Sequence, residues 1–387
     1  MNILFTSYFP TYPIAGGVQR VTSSLTKELL KKGYNIYYLC YKYTREATND
    51  LGIPQYFIDV KKSSLETITK EINSIVEKHS IDVIINQTPD LGAYKICKQI
   101  STKVKIISVI HTQPYSEDSI TWMRILKMRA VNFKHFLFKM ASLLNINIYK
   151  RFFARATDQE LKMAFEISEK VCFISERFYP RVKRHLSNVP YDKLVAINNP
   201  NTYEVCDVNV SKKDNLVLWV GRVSNSNKNN LDFIKAFQHF HKVHPDWKAV
   251  VIGEGEDLAF NINYAQKHKV QNLEFIGRVD NVAEWYQRAK VVAVTSWGES
   301  WCLAITEGMQ YGCIPCVYNT YETLEDIVDN NINGFIVQPT PQAMSACFCK
   351  IATDVDFEQM SEEAQKKTLQ FSIENIADKW DLLIKSL

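Results

Sequence analysis

Two glutamates eight positions apart, Glu299 and Glu307, sit in TSWGESWCLAITEGMQYGCIP, residues 295 to 315. Eight helical steps leave two side chains about 80° apart, so one continuous helix would not align them. A helix starting near Cys302 leaves Glu299 off its N-terminus and Glu307 about one turn inside. One carboxylate then stands beside a cluster of free backbone N–H groups, which favour anions, and the other behind it. Spacing alone fits a solvated surface loop equally well.

Two further segments carry candidate anion chemistry. In WVGRVSNSNKNN a strand ends at Gly221, with Arg222 next and Lys228 six residues later. Arg offers a planar fork of donors and Lys a point charge, both suited to phosphates. In YFPTYPIAGGVQRV, Gly16 and Gly17 fall where a strand turns into a helix and an anion can approach the backbone. That double glycine is not GxGxxG, so a nicotinamide-binding reading is weak, and a plain tight turn remains open. His111 ends the apolar run KIISVIH, and a structural role for a lone histidine is open too.

The elements that must position these residues follow from periodicity. Strand-like runs at 2–8, 35–41, 82–87 and 104–111 alternate with amphipathic stretches at 18–32, 65–79 and 90–100. That is the alternation of a parallel sheet covered by helices. A long, mostly helical insertion fills 118–168, and strands resume at 171–175 and 193–198. After a polar linker at 199–215 the pattern restarts, with strands at 216–221, 247–253, 272–277, 291–296, 314–318 and 334–337. Two doubly wound α/β domains are expected, 1–199 and 200–370, with a cleft between the sheets as the ligand site. The helix at 371–387 is expected to cross back onto the first domain.

Composition supports this reading. The 387 residues are 46% hydrophobic and 23% charged, which fits a globular chain of two domains. A net charge of +4 is too weak to argue for nucleic acid. The nine cysteines, among them Cys40, Cys97, Cys172, Cys206 and Cys302, lie mostly in apolar runs and read as buried thiols of a reducing compartment. Cys313 and Cys316 form a CxxC without a second pair at zinc spacing. The N-terminus MNILFTSYF has neither a basic leader nor a cleavage site, and no apolar stretch approaches a membrane span. A cytoplasmic location is expected.

The ordered set GRxSxxxK at 221–228, IGEGED at 252–257, FIGRVD at 275–280 and Glu299-x7-Glu307 followed by GMQYGCIP resembles glycosyltransferase family 4 of the bacterial glycan-assembly type. FISE at 173–176, INNP at 197–200 and NGFIV at 333–337 extend the resemblance over nearly the whole chain. It implies a GT-B fold, two facing Rossmann-like domains, and a retaining transferase acting on a nucleotide-sugar, with a UDP-sugar as the expected donor. Arg222 and Lys228, with the N–H groups near Cys302 and Leu303, would stabilise the departing diphosphate. Glu299 would contact donor sugar hydroxyls and Glu307 the ribose diol. A turn near Val279 would read the base, and Gly16 and Gly17 would approach the diphosphate from the other domain. His111 matches the family's histidine beside the reacting carbon. Ser300 and Cys302 replace glycines common in relatives, which bears on the sugar pocket. No metal or other cofactor is implied, and Asp354-Val-Asp356 is read as coincidence, far from any strand end.

From Ile120 to Thr157 there is no acid, while Arg124, Lys127, Arg129, Lys134, Lys139, Lys150, Arg151 and Arg155 alternate with Trp122, Met123, Phe133, Phe136, Phe138, Phe152 and Phe153. Such a stretch suits an anionic membrane surface and a glycan or lipid-linked acceptor, placing the protein peripherally at the membrane's inner face. An ordinary helical insertion is the plainer reading. Beside the transferase stand two alternatives: a non-catalytic nucleotide-sugar-binding subunit, or a GT-B epimerase or phosphorylase.

Overall fold

The computed structural model describes residues 1–387 except 13–15, 43–50, 61–62, 89, 101–102, 121, 123–124, 126–131, 205–207 and the side chain of 119. Met123, Arg124, Lys127, Arg129 and Cys206 therefore lie outside the described residues. The chain divides into two compact units, Met1–Pro200 with Ile373–Leu387, and Asn201–Ser372.

The first unit holds seven parallel strands: β1 (Asn2–Ser7), β2 (Asn35–Cys40), β3 (Gln55–Phe57), β4 (Val83–Asn86), β5 (Lys105–Ile110), β6 (Lys170–Phe173) and β7 (Leu194–Ala196), in the order β3-β2-β1-β4-β5-β6-β7. Helices α1 (Gly17–Lys31), α2 (Leu65–Lys78) and α3 (Leu91–Cys97) connect the early strands. The strands are near-continuous apolar runs because both faces of a parallel sheet are covered. Along β1 and β4 the alternation is strict. Ile3, Phe5, Val83 and Ile85 face the core beneath α1, and Leu4 and Ile84 face the core beneath α2 and α3. The three-residue β3, Gln55-Tyr56-Phe57, makes no apolar run, so the sequence reading passes over it.

Between β5 and β6 lie α4 (Phe133–Leu144) and α5 (Ile146–Ile167). Phe138 packs against Tyr149, Phe152 and Phe153 and so belongs to the contact between these two helices. Phe133, Phe136 and Phe152 are exposed, as are Lys134, Arg151 and Arg155. Lys150 donates to the Asp118 carbonyl at 2.9 Å. A further short helix, α6 (Tyr179–His185), precedes β7.

The second unit has six parallel strands, β8 (Asp214–Val220), β9 (Lys248–Ile252), β10 (Leu273–Gly277), β11 (Ala289–Val294), β12 (Ile314–Tyr318) and β13 (Phe335–Val337), ordered β10-β9-β8-β11-β12-β13. Its helices are α7 (Asn230–His241), α8 (Leu258–Lys267), α9 (Ala283–Arg288), α10 (Leu303–Gln310), α11 (Leu324–Ile327), α12 (Pro341–Thr353) and α13 (Phe357–Thr368). The strand order reverses between β8 and β11, and between β1 and β4 in the first unit. Crevices outside the carboxyl ends of such strands are where ligands bind in open α/β sheets.

Cys316 of β12 and Cys347 of α12 are paired as a disulfide, which corrects the expectation of free thiols at these two positions. Cys40, Cys97, Cys172, Cys302 and Cys313 are free and buried. Asp356 caps α13 by accepting from the Gln359 N–H at 3.0 Å.

The last helix, α14 (Ile373–Lys385), belongs to the first unit. Ile376, Ala377, Trp380, Leu383 and Ile384 enter the core shared by Leu25 and Leu29 of α1. Tyr34 donates to Asp381 at 2.6 Å, and Lys32 pairs with Asp378 at 2.5 Å. Trp380 is 6% exposed, so truncation leaves a cavity as well as losing apolar contact. Trp380→Ala is expected to destabilise the first unit by about 3–5 kcal/mol, read as a lowered urea midpoint by circular dichroism. An unchanged midpoint would remove α14 from that core.

Candidate active site

Arg222 and Lys228 lie on the loop after the switch strand β8, and Glu299, Ser300 and Cys302 on the loop after β11, which leads into α10. Gly253, after β9, is what lets β8 end as it does. Its φ is +138°, and a Cβ there would lie 1.9 Å from the Gly221 carbonyl oxygen. Only a glycine brings the two strand ends this close. Past Gly221 the chain is pinned onto the next loop: Val223 N–H donates to Glu254 O at 2.9 Å, and Asn225 N–H to the Asp257 carboxylate at 2.7 Å. The IGEGED segment thus acts as a floor for the basic loop.

Lys228 is fixed from the other side. The Thr295 hydroxyl, at the end of β11, donates to the carbonyls of Lys228 and Asn229 at 3.1 and 3.0 Å, and accepts from Trp219 Nε1 at 3.1 Å. Trp297 N–H donates to Asn227 O at 2.8 Å. With both loops tied, the Lys228 ammonium meets the Glu299 carboxylate in a direct ion pair, and Ser296 Oγ donates to the same oxygen at 2.7 Å. Burial lowers the Lys228 pKa, but the contact with Glu299 outweighs it and the net shift is upward.

Helix α10 begins at Leu303, with Cys302 as its cap residue, and the Cys302 side chain makes no capping bond. The thiol is buried and pushed up to about 12, chiefly by burial and then by the Glu299 charge. Tyr321, in the loop after β12, is also buried and feels both Cys302 and Glu299. Sequence reasoning overlooked Tyr321, which follows a strand end but matches no motif. Gly308 seats α10 against the sheet, since a Cβ there would stand 2.8 Å from Val292 Cγ1.

Glu307 is 2% exposed, inside α10. Thr202 Oγ1 donates to its Oε1 at 2.5 Å, and Tyr286 Oη to its Oε2 at 3.5 Å. Neither hydroxyl was singled out from the sequence, where Thr202 falls within the polar linker. Val279 follows β10 and packs, partly buried, against the apolar cluster that includes Leu216, Leu218 and Ile252. Ser300 is half-buried, between Glu299 and the start of α10.

Arg222 stands apart from this cluster. Its guanidinium is 72% exposed and pairs with Glu256 at 3.0 Å, an interaction the sequence reading did not foresee. The Glu256 carboxyl is held below its usual range by its own backbone N–H and the Ser224 hydroxyl, with Arg222 adding to this.

In the first unit, Gly16 and Gly17 are exposed at the start of α1, and His111 follows β5. Part of His111 reaches the surface, yet both ring nitrogens are buried with no hydrogen-bond partner. Burial pushes the imidazole down to about 4, so it is neutral near pH 7. Among the described residues no group of three or more His, Cys, Asp or Glu could hold a metal ion. No described helix is long and apolar enough to cross a membrane.

Residues 15–200 match the family model Glycosyltransferase Family 4, and residues 206–368 match Glycosyl transferases group 1. A Campylobacter jejuni GalNAc-alpha-(1->4)-GalNAc-alpha-(1->3)-diNAcBac-PP-undecaprenol alpha-1,4-N-acetyl-D-galactosaminyltransferase is 28% identical over 220 residues, 56% of this chain. This chain matches 57% of that enzyme's length. A Haemophilus influenzae uncharacterized glycosyltransferase is 20% identical over 95% of both chains. Anabaena Alr3699/HepE, solved in complex with UDP and glucose, superposes with a TM-score of 0.73 over the full length of both chains at 13% identity.

His111 gives the first unit a measurable pH dependence. The folded imidazole stays neutral down to about pH 4, while the unfolded one takes up its proton near 6.5. Between those values the unfolded state binds more protons, so stability present above about pH 6.5 is lost as pH falls towards 4. Against His111→Gln, which does not titrate, the wild type should lose about 3 kcal/mol across that window in urea titrations. A gap that does not change with pH would show that the imidazole is not desolvated. The two family matches, the transferase relatives and the paired α/β sheets converge: this chain is a glycosyltransferase of the family 4 type, with the GT-B fold.

Proposed function

We propose that the chain transfers a sugar from a UDP-sugar to a lipid-linked saccharide in glycan assembly, with retention of anomeric configuration and without a metal. The observation that carries this reading is the Lys228–Glu299 ion pair, held beside the start of α10 at the carboxyl ends of the switch strands. The donor leaves as a diphosphate, so negative charge grows on its oxygens while the sugar becomes oxocarbenium-like. Lys228, Arg222 and the N–H groups near Leu303 stabilise that charge and take the place of a metal ion. Glu299 accepts from donor sugar hydroxyls, Glu307 from the ribose, and the turn at Val279 meets the base. Ser300 and Cys302 shape the sugar pocket. In the first unit, Gly16 and Gly17 leave backbone exposed at the start of α1, which suits an anion, and His111 after β5 carries a neutral imidazole. Acceptor attack comes from the face the diphosphate leaves, its oxygen taking the acceptor proton, so no side chain serves as nucleophile. The Campylobacter relative's undecaprenol-linked substrate and the UDP bound by the Anabaena structure support the choice of acceptor and donor.

The test is thermal unfolding with UDP-, GDP- and ADP-sugars, each with and without EDTA. Ligand at a hundred times its dissociation constant adds about 2.7 kcal/mol, a rise of a few degrees. A shift with UDP-sugars that survives EDTA is expected, and a shift abolished by EDTA would overturn the metal-free reading. Lys228→Met should lower kcat on an undecaprenyl-diphosphate saccharide by roughly 10²–10³-fold, the cost of losing one charge-stabilising donor. The product's anomeric configuration, read by NMR, decides retention.

The exposed Phe133, Phe136 and Phe152 with Lys134, Arg151 and Arg155 support a peripheral, cytoplasmic-side contact with anionic lipid. Flotation with phosphatidylglycerol vesicles should recover the wild type and lose Phe133→Ser/Phe136→Ser. Equal flotation with phosphatidylcholine vesicles would argue against the electrostatic part of this contact.

A further inference from the structure

The linker's first residues lie along the helix that carries Glu307. Three side chains of α10 and its end, at positions 307, 310 and 311, share one face, as residues three and four apart do on a helix. Each is bonded to a successive linker residue. Glu307 accepts from the Thr202 hydroxyl at 2.5 Å, Gln310 Nε2 donates to Tyr203 O at 3.0 Å, and Tyr311 Oη donates to Glu204 O at 3.0 Å. One residue earlier, Asn201 N–H donates to Phe371 O at 2.8 Å. The Tyr203 ring packs edge-on against Tyr286 and Tyr311, at 6.4 and 6.5 Å between centroids. Segment 201–204 is therefore a strap held at each of its residues, and a hydroxyl on it is fixed in place.

That fixity matters because of what Thr202 touches. A carboxylate on a helix can rotate about its last torsion, which is broad and roughly two-fold. Here one oxygen takes the Thr202 hydroxyl and the other lies 3.5 Å from the Tyr286 hydroxyl. Two donors on opposite oxygens set the plane of the carboxyl group. A vicinal diol is recognised by both oxygens of a carboxylate together, so the plane decides whether both bonds form. We propose that Thr202 is a positioning residue for ribose recognition: its hydroxyl sets the Glu307 carboxylate plane so that it accepts from both ribose hydroxyls. This rests on the reading of Glu307 as the residue that receives the ribose of the donor nucleotide.

The strap also gives the linker a role its composition does not advertise. Residues 199–215 are polar and read as a spacer, yet the first of them in the second unit are bonded to the donor helix. Thr202 is a threonine because a hydroxyl is needed and because the β-branched side chain is stiff at χ1. Serine keeps the hydroxyl with less stiffness, and valine keeps the shape without the hydroxyl.

The test compares binding of UDP and 2′-deoxy-UDP by calorimetry to the full chain, as wild type, Thr202→Val and Thr202→Ser. The wild type should prefer UDP. Thr202→Val should weaken UDP about tenfold while changing 2′-deoxy-UDP by less than about twofold, so the preference collapses. Thr202→Ser should restore most of it. Equal weakening of both nucleotides, or no change in either, would overturn the proposal, since a packing role cannot tell a ribose from a deoxyribose. If Thr202→Val does not fold, Thr202→Ala and Tyr286→Phe remove the hydroxyls singly, and the same collapse is required of Thr202→Ala. A wild type that binds neither UDP nor its deoxy form is tested with the GDP and ADP pairs. Binding to one of those moves the donor base and leaves the Thr202 comparison to be read there. Binding to none overturns the nucleotide reading and this inference with it.

Discussion

The site depends on a buried ammonium that cannot stand alone. Lys228 sits on the loop after β8 with its side chain about three-quarters buried, and desolvation favours its neutral form. What keeps it charged is Glu299, from the loop after β11, in direct contact. Neither partner would be stable in that position without the other, because an unpaired buried charge is costly. The geometry is imposed by the backbone. Thr295 bonds to the carbonyls of Lys228 and Asn229, and Trp297 to that of Asn227, so the two loops are joined before their side chains meet. The reversal of strand order between β8 and β11 puts these loops side by side in the first place.

Arg222 makes the contrast plain. It lies six residues from Lys228 on the same loop, yet its charge is largely in water and its partner Glu256 is itself 44% exposed. An exposed pair of this kind contributes little to stability and is cheap to rearrange. The loop thus carries one cation whose place is fixed by the fold and one that can turn to a ligand at small cost. Both types suit a reaction in which an anion must be bound, stabilised as its charge grows, and then released.

Much of this was legible in the sequence, for identifiable reasons. Apolar runs marked twelve of the thirteen described strands, and β3 escaped because Gln55-Tyr56-Phe57 is too short and mixed to make an apolar run, whereas the equally short and half-buried β7 lies within one. A helix start near Cys302 is the supposition under which the two glutamates separate, and the structure begins α10 at Leu303. Contacts between segments distant in sequence were not legible. Nothing in the composition of 199–215 indicates that Thr202 meets Glu307, over a hundred residues away, or that Glu256 meets Arg222. The pairing of Cys316 with Cys347 belongs to the same class, since it joins a strand to a helix brought together only by packing. Phe138 also shows the limit. Its place in the basic stretch suggested a surface, but its ring packs inside the helical pair.

The two glutamates that first marked the site are held by different chemistry, and the difference fits their different neighbours. Glu299 is held by a cation, so the pair is close to neutral and can sit near a departing anion without repelling it. Glu307 accepts from two hydroxyls, one on each carboxylate oxygen, which orient it as an acceptor. A strong, oriented acceptor is what a neutral diol requires, whereas a bare carboxylate beside a growing diphosphate charge would raise the barrier. Under the proposed roles, exchanging the two environments would put repulsion at the reacting end and weaken the hold on the sugar ring of the nucleotide. The eight-residue spacing serves this division. It places one carboxylate before the helix, where a lysine from the neighbouring loop can reach it, and the other within the helix, where the linker strap can.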